Sequence, residues 1–193
     1  MPLFRRQYAE EDVQLVFIDD RPAADVVNGH PVWEFDRFVR APASRRVAAL
    51  AVANSRVRET LDERCRAAGV EVVGVAAENV VAMDDVEIGP GALLSPFVTL
   101  TSNIRIGRCF HGNLYSYVEH DCVIGDYVTF APGVRCNGNV TIGSHAYVGS
   151  GAVIRQGLSI GAGAVVGMGA VVTRDVPPGV TVIGNPARPM AKR

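Results

Sequence analysis

Glu119, His120 and Asp121 stand together in "YSYVEHDCVIGDYVTFAP" (115–132), inside a long run where charge is scarce. An imidazole titrates near neutral pH, so His120 is suited to take a proton from an attacking nucleophile. A carboxylate beside it could accept a hydrogen bond from one ring nitrogen and leave the other free to act as base. Asp121 and Glu119 both qualify by position. Successive side chains on a strand point to opposite faces, so contact between such neighbours requires turn geometry. The other histidines lack this context: His30 lies in "GHPV", His111 beside Gly112, and His145 in "IGSHAY".

The surroundings of His120 are periodic. Every sixth residue from Ile88 to Val172 is aliphatic or aromatic, except Gly112 and Cys136, and a second, smaller apolar set lies two residues before each. Neither a 3.6-residue nor a 2-residue period describes this run, whereas a hexapeptide period is that of a parallel β-helix. Each hexad makes a short strand and a tight turn, and three hexads close a triangular coil of 18 residues. Fifteen hexads predict five coils, and at a strand spacing of about 4.8 Å the prism is about 24 Å tall. The glycines, with Asn137 and Asn139, are expected at turn positions of positive φ. No insertion interrupts the register. An active site must therefore use turn residues, with a neighbouring subunit completing the cleft.

Residues 1–76 read differently, as a small α/β unit, with the prism over 77–193. "VQLVFIDD" (13–20), "RVAALAVA" (46–53) and "VEVVGV" (70–75) read as strands, and "GHPVWEFDRF" (29–38) as a strand or turn leading into a short helix. Over 55–69 an amphipathic helix is predicted, with Ser55 as N-cap and Gly69 ending it. Val57, Leu61, Cys65 and Ala68 form its apolar face. The sheet is expected to be parallel.

Composition narrows the function classes. The 193 residues are 48% hydrophobic and 20% charged, with a net charge of −1 and no basic block, which argues against a nucleic-acid partner. No apolar run approaches the roughly 18 residues of a membrane span, so no membrane partner and a cytoplasmic location are expected. The four cysteines make no C-x-x-C pair and are expected to be buried free thiols. His111, His120 and His145 are spaced nine and 25 apart and are expected on three different corners, which disfavours a zinc site of the γ-carbonic anhydrase kind. No metal is expected.

"FIDD" followed by "GHPV", then "AVANSRVR", "NLYSYVEHDCVIGDYVTFAPGV" and "GMGAVVTRDVPPGVTVIGNPAR" give the chain a resemblance to a known family. It resembles the sialic-acid O-acetyltransferase-like (NeuD) family, which includes bacterial N-acetyltransferases of nucleotide-linked 4-amino-4,6-dideoxy sugars. That resemblance implies a mainly β chain: a left-handed parallel β-helix with a reduced Rossmann-like α/β unit before it. It also implies a homotrimer, acetyl-CoA as cosubstrate, and an amino sugar of surface-polysaccharide (O-antigen) biosynthesis as acceptor. O-acetylation of a sugar is the alternative reaction, and a non-catalytic trimeric scaffold the alternative class. Carried over residue by residue, the resemblance makes His120 the general base and Asp121 its orienting carboxylate. Gly138 becomes the oxyanion N–H donor, and Thr129, Ser150, Met168 and Arg188 cofactor contacts. Asn113, Asp19 and Asp20 become substrate contacts. Two departures stand out. The family's glycine-rich loop is missing from these residues, which implies a reduced unit or an internal start. Thr129 replaces a frequent histidine, and its hydroxyl can hydrogen-bond but not carry charge.

Overall fold

The computed structural model describes residues 1–190. Residues 75–183 wind into a left-handed parallel β-helix whose three faces are parallel sheets. The first face stacks Val81–Ala82, Thr99–Leu100, Tyr117–Val118, Arg135–Cys136, Val153–Ile154 and Val171–Val172. The second runs from Val86–Ile88 through Ile104–Ile106, Val123–Ile124 and Thr141–Ile142 to Ser159–Ile160. The third runs from Val75–Ala76 to Thr181–Ile183 and includes His111–Gly112, Thr129–Phe130 and Tyr147–Val148. Partners lie 18 residues apart throughout, as in Thr99↔Tyr117, Val123↔Thr141 and Thr129↔Tyr147. Only the last coil shortens, where Val166 pairs with Val182.

Both sets of periodic residues point inward, so the larger and smaller side chains form the core from Ala92 to Val172. Gly112 is filled from within its own strand. A Cβ there would lie 3.0 Å from the Phe110 ring, and that ring packs edge-on to Phe130 at 5.3 Å. A large residue in the small set thus compensates for a missing one in the large set. The prism begins earlier than its apolar period does, because Val75–Ala76 already pairs with Leu93–Leu94. At this end the coil is not closed, and Ile88 is 38% exposed.

The turn residues require a correction. Positive φ recurs at every sixth residue from Asp85 to Gly169, three positions before each large core residue. Asn139 is one of them, with φ +55°, but Asn137 is not. The glycines of the repeated "IG" pairs are not either. They are held by contact with the coil above: a Cβ on Gly125 would meet the Ser144 amide nitrogen at 2.6 Å, and one on Gly143 the Ala162 nitrogen at 2.4 Å.

The N-terminal unit contains α1 (Pro2–Gln7), α2 (Phe35–Arg40) and α3 (Ser55–Ala67). The predicted sheet is two small ones. Phe17–Ile18 pairs parallel with His30–Trp33, Val26–Val27 joins antiparallel, and Val47–Ala48 pairs parallel with Glu71–Val72. The long strands expected over 13–20 and 46–53 shrink to two residues each. The cap of α3 is Asn54, not Ser55, since its side chain accepts from the Arg56 and Val57 amides.

Of the predicted apolar face of α3, Leu61 and Cys65 pack inward and Val57 and Ala68 do not. Val57 is 47% exposed and Ala68 is also exposed, while Arg58, Leu61, Asp62 and Cys65 face inward. Arg58 and Asp62 are fully buried against the third face and the corner that precedes it. Arg58 donates to the carbonyls of Val52 (2.8 Å) and Tyr127 (2.6 Å) and to Thr129 Oγ1 (3.0 Å). Asp62 receives a two-pronged bond from Arg108 (3.1 and 2.8 Å) and another from the Tyr127 hydroxyl (2.8 Å). Burial alone would raise the Asp62 carboxyl, but these donors outweigh it and hold the carboxyl below its ordinary range.

His111 completes this contact. Its Nε2 lies 2.9 Å from the Leu50 carbonyl, so Nε2–H donates there, and Nδ1 faces the Arg58 guanidinium at 3.4 Å. Burial, and then the Arg58 charge, push its pKa from 6.5 down to about 4. Between those values the unfolded chain binds more protons than the folded one, so stability falls as pH drops from 6.5 toward 4. The loss from His111 is about 1.4 kcal/mol per pH unit at most, roughly 3 kcal/mol over the window. His145, also lowered by burial, adds a slope of the same sign. Denaturant titrations from pH 7 to pH 4 should show this decline, and H111Q should flatten most of it.

Candidate active site

His120 and Asp121 occupy the corner between the first and second faces. Asp121 is one of the positive-φ residues (+60°), and this is the turn geometry that contact with a sequence neighbour demands. The left-handed backbone brings the carboxylate alongside the preceding ring, with Asp121 Oδ2 2.7 Å from His120 Nδ1. Its other oxygen, Oδ1, accepts from Asn103 Nδ2 at 3.1 Å, one coil below. Asp121 is thus held from two sides, and Nδ1–H of His120 donates to it. In the neutral imidazole Nε2 is then the unprotonated nitrogen, open to solvent on a side chain 62% exposed. The hydrogen bond to Asp121, followed by its charge, raises the His120 pKa above the ordinary value, and the Asp121 carboxyl is lowered by the same bond.

Gly138 lies one coil above, against the ring. A Cβ there would stand 2.6 Å from both Cε1 and Nε2 of His120. Its N–H, the expected oxyanion donor, is engaged in this structure by Glu119 Oε2 at 3.2 Å. The other sequence neighbour of the imidazole therefore binds the coil above, while Asp121 orients the ring. Sequence reading offered Glu119 only as an alternative orienting carboxylate and missed Asn103 entirely. The latter was detectable as the residue 18 before Asp121.

The remaining candidates lie elsewhere on the chain. Asn113, Ser150 and Met168 share the corner between the third and first faces. Ser150 is exposed there and Met168 is 82% exposed, while the Asn113 amide donates to the Phe130 carbonyl at 2.6 Å. The six strands of the first face separate that corner from His120. Thr129 is a correction: it is buried on the third face, and its hydroxyl serves Arg58 rather than an open groove. Arg188, exposed in the strand Arg188–Pro189, turns one guanidinium nitrogen back to the Ala187 carbonyl.

Asp19 and Asp20 do local work. The first accepts from the Arg21 amide at 2.9 Å, and the second from the Phe35 amide at 2.9 Å, at the start of α2. Asp20 also pairs with Arg64, and that pairing leads the causes that lower its carboxyl. His111, expected at a corner, sits on a strand of the third face. It is therefore not brought together with His120 or His145. His145 stacks on Tyr127 at 5.2 Å, with Nε2 3.6 Å from Glu59.

Comparison with known proteins gives the family of the chain. The bacterial transferase hexapeptide (six repeats) family matches residues 139–174. GDP-perosamine N-acetyltransferase from Escherichia coli O157:H7 is 50% identical over 200 residues, covering 100% of this chain and 90% of that protein. The chain belongs to the hexapeptide-repeat sugar acetyltransferases. Among solved members of this fold, WeeI from Acinetobacter baumannii AYE superposes with a TM-score of 0.95 at 53% identity, covering 98% of this chain and 92% of that one. The acetyltransferase domain of PglB from Neisseria gonorrhoeae FA1090, in complex with acetyl coenzyme A, gives a TM-score of 0.86 at 29% identity, covering 97% and 92%. Among the described residues of this acetyltransferase, no cluster of three or more metal-ligating side chains forms, and no helix is long and apolar enough to cross a membrane.

The contact between Gly138 and the imidazole makes a sharp test. G138A puts a methyl where Cε1 and Nε2 lie, so the ring must leave its bond to Asp121. Acetyl transfer should fall at least a hundredfold. The melting temperature should change little, because His120 is on the surface. A G138A variant with ordinary turnover would show that the ring position is not needed.

Proposed function

We propose that this protein transfers the acetyl group of acetyl-CoA to the amine of a nucleotide-linked amino sugar. The observation that carries the mechanism is the 2.7 Å bond from His120 Nδ1 to an Asp121 whose left-handed backbone aims it. That bond leaves Nε2 as the acceptor for a proton. The sugar nitrogen attacks the thioester carbonyl as the free amine, and His120 takes the one proton it loses on forming the amide. The tetrahedral intermediate collapses with release of the CoA thiolate, which receives the proton from the imidazolium. No covalent enzyme intermediate is needed. Gly138 N–H is the nearest donor for the oxyanion, and a carbonyl arriving there exchanges with Glu119. The names of relatives that act on GDP-perosamine or hold acetyl coenzyme A support this choice of substrates. Both substrate classes are cytoplasmic metabolites, which supports that location.

The separation of the candidates supports a homotrimer. Within one chain the first-corner and third-corner residues stand on opposite edges of the first face. Three parallel prisms about a three-fold axis would set His120 of one copy at the height of Asn113 of the next, with Ser150 about two coils and Met168 about three coils further up the same corner. A pantetheine arm would then run between two prisms along the coil axis. Arg188 would act near its outer end.

Two variants test the chemistry. H120A should abolish nearly all turnover in a thiol-release assay with acetyl-CoA while the oligomer persists by light scattering; undiminished turnover would eliminate the proposed base. D121N removes the partner that raises the His120 pKa. The acidic limb of the kcat/KM profile should move to lower pH, because the unpaired imidazole loses its proton more readily, and the plateau should fall about tenfold to a hundredfold.

A further inference from the structure

Nine of the fifteen positive-φ corner positions are not glycine. Asp85, Asn103, Asp121, Asn139 and His145 are of the types that visit this region most readily. Cys109 and Tyr127 are buried beneath the N-terminal unit, so packing accounts for them. Phe97 (φ +64°) and Tyr115 (φ +59°) remain. Bulky side chains in this conformation cost on the order of 1 kcal/mol each or more. Yet these two are 50% and 65% exposed, so the chain's own core gains little from them.

They lie 18 residues apart on the third corner, and their rings stack with centroids 4.8 Å apart and planes 3° from parallel. The separation matches the coil spacing, so Phe97 backs one face of Tyr115. The next residue up this column is Gly133, followed by Gly151 and Gly169. No side chain of this column covers the second face of Tyr115. A flat aromatic shelf therefore stands under a stretch of corner that is bare for three coils, two residues from Asn113 and in the same coil as His120.

Resting on the two-copy site proposed above, we infer that Tyr115, braced by Phe97, is the platform on which the acceptor hexose seats. The shelf suits such a ring. A 4-amino-4,6-dideoxy hexose carries a methyl where most hexoses carry a hydroxymethyl, so one side of it is a patch of C–H groups. That patch packs on an aromatic face, while the amine stays turned toward the partner's His120. A glycine above Tyr115 leaves one coil spacing of clearance, about the thickness of a pyranose.

The strain supplies an internal control. Y115G relieves an unfavourable backbone while losing one ring stack, so its melting temperature should match or exceed that of the native protein. The dissociation constant for GDP-perosamine, measured by calorimetry without acetyl-CoA, should rise about three- to tenfold, and the sugar KM with it. The KM for acetyl-CoA should not move, and Y115F should behave as native. F97A should weaken sugar binding by a smaller factor. An unchanged sugar constant in Y115G would overturn the platform, as would a raised acetyl-CoA KM. Dissociation of the oligomer in Y115G would assign the pair to the subunit seam. If the native protein neither bound nor acetylated GDP-perosamine, the functional reading itself would fall, and the platform with it.

Discussion

A left-handed backbone at every sixth residue is what the prism and its chemistry both depend on. Strands of two or three residues cannot close a triangle unless the chain bends sharply between them, and positive φ supplies the bend three times per coil. The amides and carbonyls of each coil then bond to the coils above and below, so the column is built almost wholly from 18-residue pairings. Core side chains leave no room for a polar site inside. The corners are where functional groups can stand, and at Asp121 the bend itself makes the functional contact. The same torsion that turns the strand aims a carboxylate at the preceding imidazole.

A second constraint binds the N-terminal unit to this column. The contact of α3 with the prism is not an oily seam but a set of buried polar groups, each answered by a specific partner. Arg58 is surrounded by carbonyls, a hydroxyl and a neutral imidazole, and among the described residues no carboxylate pairs with it. Burial therefore pulls its pKa down. Asp62 takes the cationic partner, Arg108, from the prism. Groups of this kind tolerate little sliding, because a displaced charge would be left buried and unpaired. They hold α3 in one register on the column. Thr129, beneath Arg58, belongs to this contact, its hydroxyl accepting from that guanidinium.

The candidate site is divided in a way that follows from the fold. One corner holds His120, proposed as the base, with Asp121 and Asn103 that orient it and the glycine that makes room for the ring. The other holds the exposed groups suited to ligands. A flat sheet stands between, and no arm or inserted loop bridges it. A column of uniform cross-section has no cleft of its own, and clefts arise where two columns meet.

Much of this was legible in the residues. The six-residue period, the 18-residue coil and the inward sets follow from spacing, because a strict period admits few ways to bury its apolar positions. The imidazole–carboxylate contact at His120 was open to inference from residue type. Other features depended on packing in three dimensions. The apolar face of α3 was read correctly at Leu61 and Cys65 and wrongly at Val57 and Ala68, because Arg58 and Asp62 look like solvent-facing residues until the prism's carbonyls and Arg108 are seen opposite them. The "IG" glycines looked like turn formers, yet close approach between coils holds them. Asn103 and Glu119 acquired their partners only across coils. The sequence alone determined which residues repeat and which could do chemistry, since those are properties of pattern and type. The tertiary structure decided which polar groups are buried, which face each other and which corners remain bare, because those depend on neighbours that are distant along the chain.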